Sequence, residues 1–186
     1  MATIISHAVA AAGIATLFPA RSLKRSVWIA GTLVSMLPDA DVIGFRLGIA
    51  YSDVLGHRGF THSLLFAATL GVVSAFMLFP NARATVNRGL VALYLFLATA
   101  SHGVLDALTN GGHGVAFFAP LENSRYFFPF TPIEVSPIGI SRFFSPRGAE
   151  VLLNEILWIW LPAAVAILSA WAIRLARLRM VLTTSR

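Results

Sequence analysis

The segment GLVALYLFLATASHGVLDAL, residues 89–108, decides the fold because it combines a long apolar helix with ionisable groups at one end. About 20 helical residues rise about 30 Å, which matches the thickness of the hydrocarbon core of a bilayer. The segment closes on His102 and Asp106, whose i, i+4 spacing projects both side chains from one helix face. It therefore predicts a membrane-spanning helix that carries two candidate metal ligands at one end.

The composition of the chain places it in the class of membrane proteins. Hydrophobic residues make up 57% of its 186 residues and charged residues only 12%, whereas a soluble domain carries about 25% charged residues. We therefore expect an all-α integral membrane protein that forms a single membrane domain over residues 1–186. The sequence has no cysteine, which excludes disulfides and thiolate metal sites and leaves histidine and carboxylate as metal ligands.

Five apolar stretches predict about five hydrophobic helices, four of them long enough for full spans. The second stretch is short, because Pro38 follows the segment VWIAGTLVSML. That helix either stops halfway across the membrane or continues through DVIGFRLGIAY as a broken helix. Either arrangement places Asp39 and Asp41 in a recess below the membrane surface. The stretches cover residues 3–19, 27–37, 60–80, 89–108 and 151–173.

The distribution of cations predicts the orientation through the positive-inside rule. With the N-terminus outside and one crossing per stretch, the C-terminus is cytoplasmic. The inner segments then hold nine cations and no acid, and the outer segments hold five cations and all eight acids. Topology thus explains the net charge of +6, and no nucleic-acid partner is expected. The inner cations are Arg21, Lys24, Arg25, Arg83, Arg88, Arg174, Arg177, Arg179 and Arg186.

The same orientation brings the other histidine and carboxylate motifs to the outer side of the membrane. PDAD at 38–41 ends the second helix, HRGFTH at 57–62 opens the third, and His7 lies near the outer end of the first. Each motif alone has a structural explanation, as a helix cap, a turn or a buried hydrogen bond. Their agreement on one side favours a shared metal site, since ionisable groups in a membrane indicate function by default.

The six or seven nitrogen and oxygen ligands in these motifs exceed the roughly four that one zinc ion takes. We therefore expect two or more divalent ions bridged by an aspartate, most naturally Zn, with Mn or Fe also compatible. Such centres activate water and clamp the oxygens of a phosphoester during hydrolysis. Arg58, between His57 and His62, either pairs with a substrate phosphate or is an ordinary loop cation.

Residues 109–149 predict an extracytoplasmic loop, rich in aromatic residues and proline, that lies along the membrane interface. Arg125 and Arg142 in this loop either contact a lipid headgroup or serve as interfacial anchors. The loop also holds weaker candidates for metal binding, which are His113, Glu122 and Glu134.

Five ordered motifs resemble the YdjM-like family of inner-membrane, membrane-bound metal-dependent hydrolases. They are His7, LPDAD at 37–41, HRGFTHS at 57–63, SHGVLDALTNGG at 101–112 and RYFFPFTPIEVSPIG at 125–139, and the likeness extends over residues 1–145. The spacing of His102 and Asp106 is also similar to a ligand pair of zinc-dependent phospholipases C, which cleave phosphodiesters. The resemblance implies a metal set of His7, Asp39, Asp41, His57, His62, His102 and Asp106.

These observations predict an enzyme of the bacterial inner membrane. It is a metal-dependent hydrolase that cleaves a phosphoester of a lipid or lipid-linked substrate with a metal-activated water at the outer membrane face. Asp41 and Arg58 are its predicted catalytic residues, and Arg58, Arg125 and Arg142 its predicted substrate-binding residues.

The alternative function is a metal-binding transporter or sensor without hydrolytic activity. Transport sites lie near the midplane of the membrane on a path lined by polar groups. The segments 72–79 and 90–97 carry no charge, which disfavours transport but not sensing. A metal that only braces the helices is a third interpretation.

Overall fold

A computed structural model describes residues 1–19, 23–80 and 87–184, and this part of the chain is helical, without a β-strand. Three of the inner cations counted above, Arg21, Arg83 and Arg186, lie outside the described residues. The elements are α1 (Ile4–Ala15), α2 (Arg25–Met36), a 3-10 helix (Leu37–Leu47), a 3-10 turn (Phe60–His62), α3 (Leu64–Leu78), α4 (Arg88–Ala107), α5 (Ile140–Phe143), α6 (Pro146–Glu155), a π-helical turn (Ile156–Trp160) and α7 (Leu161–Thr184).

Side-chain caps fix where the helices near the candidate site begin. The Thr3 hydroxyl accepts a hydrogen bond from the backbone N–H of Ser6 at the start of α1. The Ser63 hydroxyl accepts one from the N–H of Phe66 at the start of α3, so the motif HRGFTH precedes that helix. Each cap satisfies a backbone donor that the first helical turn leaves free.

Three helical runs are long and apolar enough to cross a membrane, namely Arg25–Leu47, Arg88–Ala107 and Pro146–Arg177. The second apolar stretch is therefore not halted at Pro38, because α2 continues into the 3-10 helix, as in the broken-helix alternative. The first and third stretches instead form helices of 12 and 15 residues. Helix α1 ends at Ala15, before the end of the first stretch, and capping at Ser63 starts α3 inside the third stretch. The all-helical class is confirmed, while the number of spans and the orientation of the termini stay predictions.

Helix α4 lies at the centre of the bundle and packs against α1, α2 and α3. Small residues permit the close approach: a Cβ atom on Gly31 of α2 would lie 2.2 Å from the Tyr94 hydroxyl, and one on Gly71 of α3 would lie 2.7 Å from the Phe96 nitrogen. Such contacts favour helix association in membranes, where burial of apolar surface gives little driving force. The run Pro146–Arg177, which includes most of α7, is different, since only 11% of its 18-residue apolar window is buried inside the protein, which leaves most of its surface for lipid.

The segment between α4 and α5 folds over one end of this bundle. The N–H of Phe128 donates to the carbonyl of Ala107 at 3.0 Å, and isolated bridges join Thr109 to Ile133 and Val115 to Tyr126. The predicted loop 109–149 also contains α5 and the first turn of α6. This segment thus closes the end of the bundle at which the histidine motifs meet.

Candidate metal centre

Four side chains from three parts of the chain converge at this end of the bundle. Asp39 lies near the start of the 3-10 helix, His62 ends the 3-10 turn before α3, and His102 and Asp106 lie one turn apart on α4. One ligand atom from each lies within 4.8 Å of all the others, and the four residues are buried. Because the helices alternate in direction, the C-terminal ends of α2 and α4 meet the N-terminal end of α3. The structure therefore brings these four predicted ligands together.

Hydrogen bonds fix the tautomers of the two central histidines. The Nδ1–H of His102 donates to the backbone carbonyl of Ser35 at 2.7 Å. The Nδ1 of His62 lies 3.2 Å from an Asp41 oxygen and 3.1 Å from the Thr61 oxygen, whose own proton is donated to Asp41. Both Nδ1 atoms thus face acceptors, an arrangement that suits each Nε2 as a metal ligand.

The Nε2 atoms of His62 and His102 lie 3.1 Å apart. Two ring nitrogens at this separation repel each other unless a metal ion or a proton lies between them. Ligand atoms on one tetrahedral zinc, at bond lengths of about 2.0–2.2 Å, lie about 3.3 Å apart. The observed separation fits a shared metal ion.

The two buried carboxylates complete the set. Asp106 accepts the Ala2 N–H at 2.8 Å through Oδ1 and the Arg58 Nε–H at 3.1 Å through Oδ2. Asp39 Oδ1 lies 3.2 Å from His102 Nε2, while its Oδ2 is buried without a hydrogen-bond partner. Buried charges in proteins are paired or coordinate metals, so the unpartnered Asp39 oxygen also favours a cation at this position.

His7 of α1 lies beside the four-residue set. Its ring stacks on His102 with 3.5 Å between the ring centroids, and its Nε2 is 3.6 Å from Asp106 Oδ1 and 4.0 Å from Asp39 Oδ2. The side chain is fully buried, yet neither ring nitrogen has a hydrogen-bond partner. A buried imidazole without a partner is costly, so its position against two carboxylate oxygens fits a metal ligand.

Asp41 and His57 form a second group that shares His62 with the first. The His57 Nδ1–H donates to Asp41 Oδ1 at 2.6 Å, and Asp41 Oδ2 accepts the hydroxyl of Thr61 and the backbone N–H of Arg58. Asp41 also lies against His62 Nδ1 and orients the His62 ring. Carboxylates outside a metal site orient metal-bound histidines in the same way. The geometry allows Asp41 to hold a metal with His57 or to support the His62 ring from outside.

Arg58 is turned into the protein. Its side chain is fully buried, its Nε–H donates to Asp106, and its Nη atoms donate to the Gly111 carbonyl at 2.8 Å and the Thr109 hydroxyl at 2.9 Å. Its backbone φ of 61° lies in the left-handed region, which costs a non-glycine residue about 1–2 kcal/mol. These contacts commit the guanidinium to positioning Asp106 and the Thr109–Gly111 backbone.

Arg125 binds backbone carbonyls of the segment that carries His57. It donates to the carbonyls of Tyr51 at 2.7 Å, His57 at 2.9 Å and Asp53 at 3.2 Å, and its guanidinium lies over the Tyr51 ring. Burial lowers the pKa of Arg125 and raises the pKa of Tyr51, so the phenol stays protonated at neutral pH. Arg125 thus braces the loop before His57.

The remaining candidates lie outside the cluster. His113 is exposed and packs on the Tyr51 ring, and Arg142 is exposed on α5. Glu122 is exposed, and hydrogen bonds from Ser124 and Tyr126 lower its pKa. Glu134 binds Arg147, which lowers the pKa of this carboxyl too. The structure therefore brings His7, Asp39, Asp41, His57, His62, His102 and Asp106 together and leaves these four residues apart.

Glu155 is a buried acid that the sequence motifs did not include. Its carboxylate accepts the N–H and the hydroxyl of Thr3, both at 2.5 Å, and the Ser6 hydroxyl at 2.6 Å. Trp160 in turn donates its indole N–H to Ser6. These bonds hold the start of α1, from which Ala2 reaches Asp106 and His7 reaches the cluster. The sequence feature that could have indicated Glu155 is its position within the last apolar stretch, since an ionisable residue in a membrane segment is a functional candidate by default.

Replacing Glu155 with leucine is expected to lower stability and to weaken metal binding together. The change removes the acceptor of three hydrogen bonds donated by Thr3 and Ser6. Each buried group left unsatisfied costs about 1–3 kcal/mol. The measurement is thermal unfolding in detergent with and without added zinc. Glu150→Leu is the control, because Glu150 is exposed and pairs with Arg147 on the surface. Equal unfolding temperatures and equal zinc shifts for the two variants would refute this role.

Comparison with known proteins agrees with the sequence motifs. The family described as "YdjM inner membrane protein" matches residues 1–180 of the chain. The chain belongs to the YdjM family. Membership in the YdjM family is thereby confirmed, whereas the hydrolase activity that the resemblance implies stays a prediction. The "Inner membrane protein YbcI" of Escherichia coli (strain K12) is 38% identical over 173 residues, which cover 92% of this chain and 98% of YbcI. No solved structure matches the chain.

The names of the YdjM family and of YbcI give a location and no activity. With the three long apolar helices, they make this YdjM-family chain a multi-pass protein of the inner membrane. Its buried histidine and aspartate groups could hold a metal ion.

Proposed function

We propose that this protein is a metal-dependent hydrolase that cleaves a phosphoester of a membrane lipid or lipid-linked substrate at the extracytoplasmic face of the inner membrane. The observation that carries the proposal is the pair of ring nitrogens, Nε2 of His62 and Nε2 of His102, 3.1 Å apart among buried carboxylates. The asymmetric distribution of cations along the sequence supports the proposed side of the membrane.

Two ions fit the arrangement of the carboxylate oxygens. One ion would be held by His62 Nε2, His102 Nε2, Asp39 Oδ1 and Asp106 Oδ2, which lie 3.1–3.7 Å from one another in the measured pairs. The opposite oxygens of Asp39 and Asp106 face His7. Asp39 and Asp106 each have one oxygen on either side and would therefore help to hold both ions. Zn is the metal that these ligands suit best, with Mn or Fe as alternatives.

The ions would supply an activated water and neutralise charge on the phosphoryl oxygens. The protein residues hold and orient this chemistry. Arg58 fixes Asp106, and the Ser35 carbonyl and Asp41 fix the tautomers of His102 and His62. The Asp41–His57 pair, 2.6 Å apart, leaves His57 Nε2 able to accept or donate a proton as a general acid or base. Arg142 is exposed beside this end of the bundle and can contact a phosphate headgroup.

The direct test is hydrolysis of phosphoesters by the full-length protein in detergent. We expect turnover of a phospholipid or a chromogenic phosphodiester that is lost with a chelator and restored by zinc or manganese. The His102→Ala variant serves as the inactive control. A protein that carries its full metal load but cleaves no phosphoester would refute the hydrolase and favour a sensor.

Replacing Asp41 with asparagine is expected to weaken the centre without removing it. Asparagine keeps the shape but loses the negative charge opposite His57 and His62, and loss of an outer carboxylate costs about 10–100-fold in metal affinity or activity. Competition for zinc with a chromogenic chelator measures the affinity. Asp53→Asn, at an exposed carboxylate, is the control. Complete loss of bound metal in Asp41→Asn would instead show that Asp41 is a direct ligand.

A further inference from the structure

An apolar groove extends from the surface of the bundle to Asp39 of the candidate metal centre. It is a cavity of about 540 Å³ between the start of α1, the 3-10 helix and residues 136–144. This volume lies within the range of roughly 300–1,000 Å³ that ligand pockets occupy. Its walls are mainly apolar and include Ile4, Ile5, Val42, Ile138, Phe143 and Phe144.

The floor of the groove is part of the candidate centre. Asp39 lines the cavity, and its side chain is 4% exposed. Its Oδ2 is the carboxylate oxygen that has no hydrogen-bond partner and lies on the His7 side of the cluster. A molecule in the groove therefore contacts Asp39, a residue of the candidate centre.

The rim of the groove is exposed and apolar. Ile4, Ile5 and Ile138 are 41–43% exposed, and Phe144 is 81% exposed. In water such a surface is an unfavourable patch, but the groove adjoins the membrane-spanning run Arg25–Leu47, where acyl chains surround the protein. A hydrated or charged ligand would gain nothing from these walls, whereas an acyl chain that leaves the bilayer for the groove stays in an apolar environment.

We propose that the groove binds one acyl chain of a glycerophospholipid that enters sideways from the bilayer, with its headgroup end at Asp39. The inference rests on the proposed function, because it names the substrate class of the same centre. Arg142 is exposed and immediately precedes Phe143 and Phe144 of the groove. An exposed guanidinium in this segment attracts anionic lipid toward the groove.

Photo-crosslinking of lipid to the full-length protein tests the inference without requiring turnover. The protein is reconstituted in vesicles of phosphatidylethanolamine and phosphatidylglycerol that contain a phosphatidylglycerol with a diazirine on one acyl chain. Crosslinked residues are mapped by mass spectrometry in the wild type, in Ile138→Trp, which fills the groove, and in Ile173→Trp. Ile173 is 54% exposed on α7, outside the groove, and receives the same substitution.

We expect adducts concentrated on groove residues in the wild type and in Ile173→Trp. In Ile138→Trp these adducts should fall to the level found on residues outside the groove, because the indole fills the space that the chain needs, while adducts on α7 stay unchanged. Bound metal is measured in each sample to show that the centre is intact. Adducts that follow surface exposure alone, or that are unchanged by Ile138→Trp, would overturn the inference. Failure of the hydrolase would appear as absent turnover and would leave the crosslinking pattern unaffected.

Discussion

Replacing Asp106 with alanine is expected to abolish both metal binding and phosphoester hydrolysis. Asp106 gives one oxygen to the side of His62 and the other to the side of His7, at 3.5 Å and 3.6 Å. Its loss therefore affects both proposed ions, and it also leaves the buried guanidinium of Arg58 without its carboxylate. We expect turnover to fall by more than about 100-fold, beyond the effect of losing an outer partner. The measurement is the rate of phosphodiester cleavage at saturating zinc.

Two further variants distinguish a residue of the metal centre from a histidine on the surface. His102→Ala should match Asp106→Ala in its loss of turnover, because the two residues contribute to the same ion. His113→Ala should retain the activity of the wild type, because His113 is exposed and lies outside the cluster. Full activity in Asp106→Ala would contradict the proposed mechanism.

Replacing Arg58 with methionine is expected to destabilise the protein by about 3–5 kcal/mol, the cost of removing one partner of a buried ion pair. The change leaves Asp106 Oδ2, the Thr109 hydroxyl and the Gly111 carbonyl without the guanidinium. Methionine has a similar length and keeps the apolar packing, so the effect reports on the charge and the hydrogen bonds. Denaturant unfolding in detergent measures the change.

Arg46→Met is the matched control, because Arg46 is exposed at the end of the 3-10 helix. We also expect Arg58→Met to lower the metal content of the protein, since the Asp106 carboxylate loses the hydrogen bond that orients it. A variant that unfolds like the wild type but no longer binds a phosphate substrate would show that Arg58 contacts substrate directly, as the sequence interpretation first suggested.

The sequence predicted the helix α4 and its ligand pair well, because two local rules coincide there. An apolar run of spanning length sets the helix, and the i, i+4 spacing sets the shared face of His102 and Asp106. The alternation of helices then predicted that the motifs around Asp39 and His62 lie at the same end. The structure brings these motifs together as expected.

Helix lengths were predicted less well, because hydropathy does not mark the ends of a helix. Helix α1 ends at Ala15, before the end of the first stretch, and capping by Ser63 places the start of α3 inside the third stretch. In the second stretch Pro38 changes the helix to 3-10 geometry without ending it. Proline is tolerated there because it lies in the first turn of the new helix.

The roles of individual cations could not be read from the sequence. Arg58 and Arg142 are both arginines in segments between apolar stretches, but the left-handed backbone at Arg58 directs its side chain inward, whereas Arg142 is exposed. Such a backbone conformation depends on tertiary contacts that spacing and composition do not encode. The link from Glu155 to Thr3 is equally remote, since it joins residues 152 positions apart.

The most direct test of the account is the metal content of the detergent-purified protein beside a His102→Ala/Asp106→Ala double variant. Elemental analysis after incubation with zinc or manganese is expected to find about two ions per wild-type chain, as the number of nitrogen and oxygen ligands requires, and none in the double variant. A wild-type protein that is folded but binds no metal under these conditions would contradict the account. The buried histidines would then be hydrogen-bonding groups at helix ends.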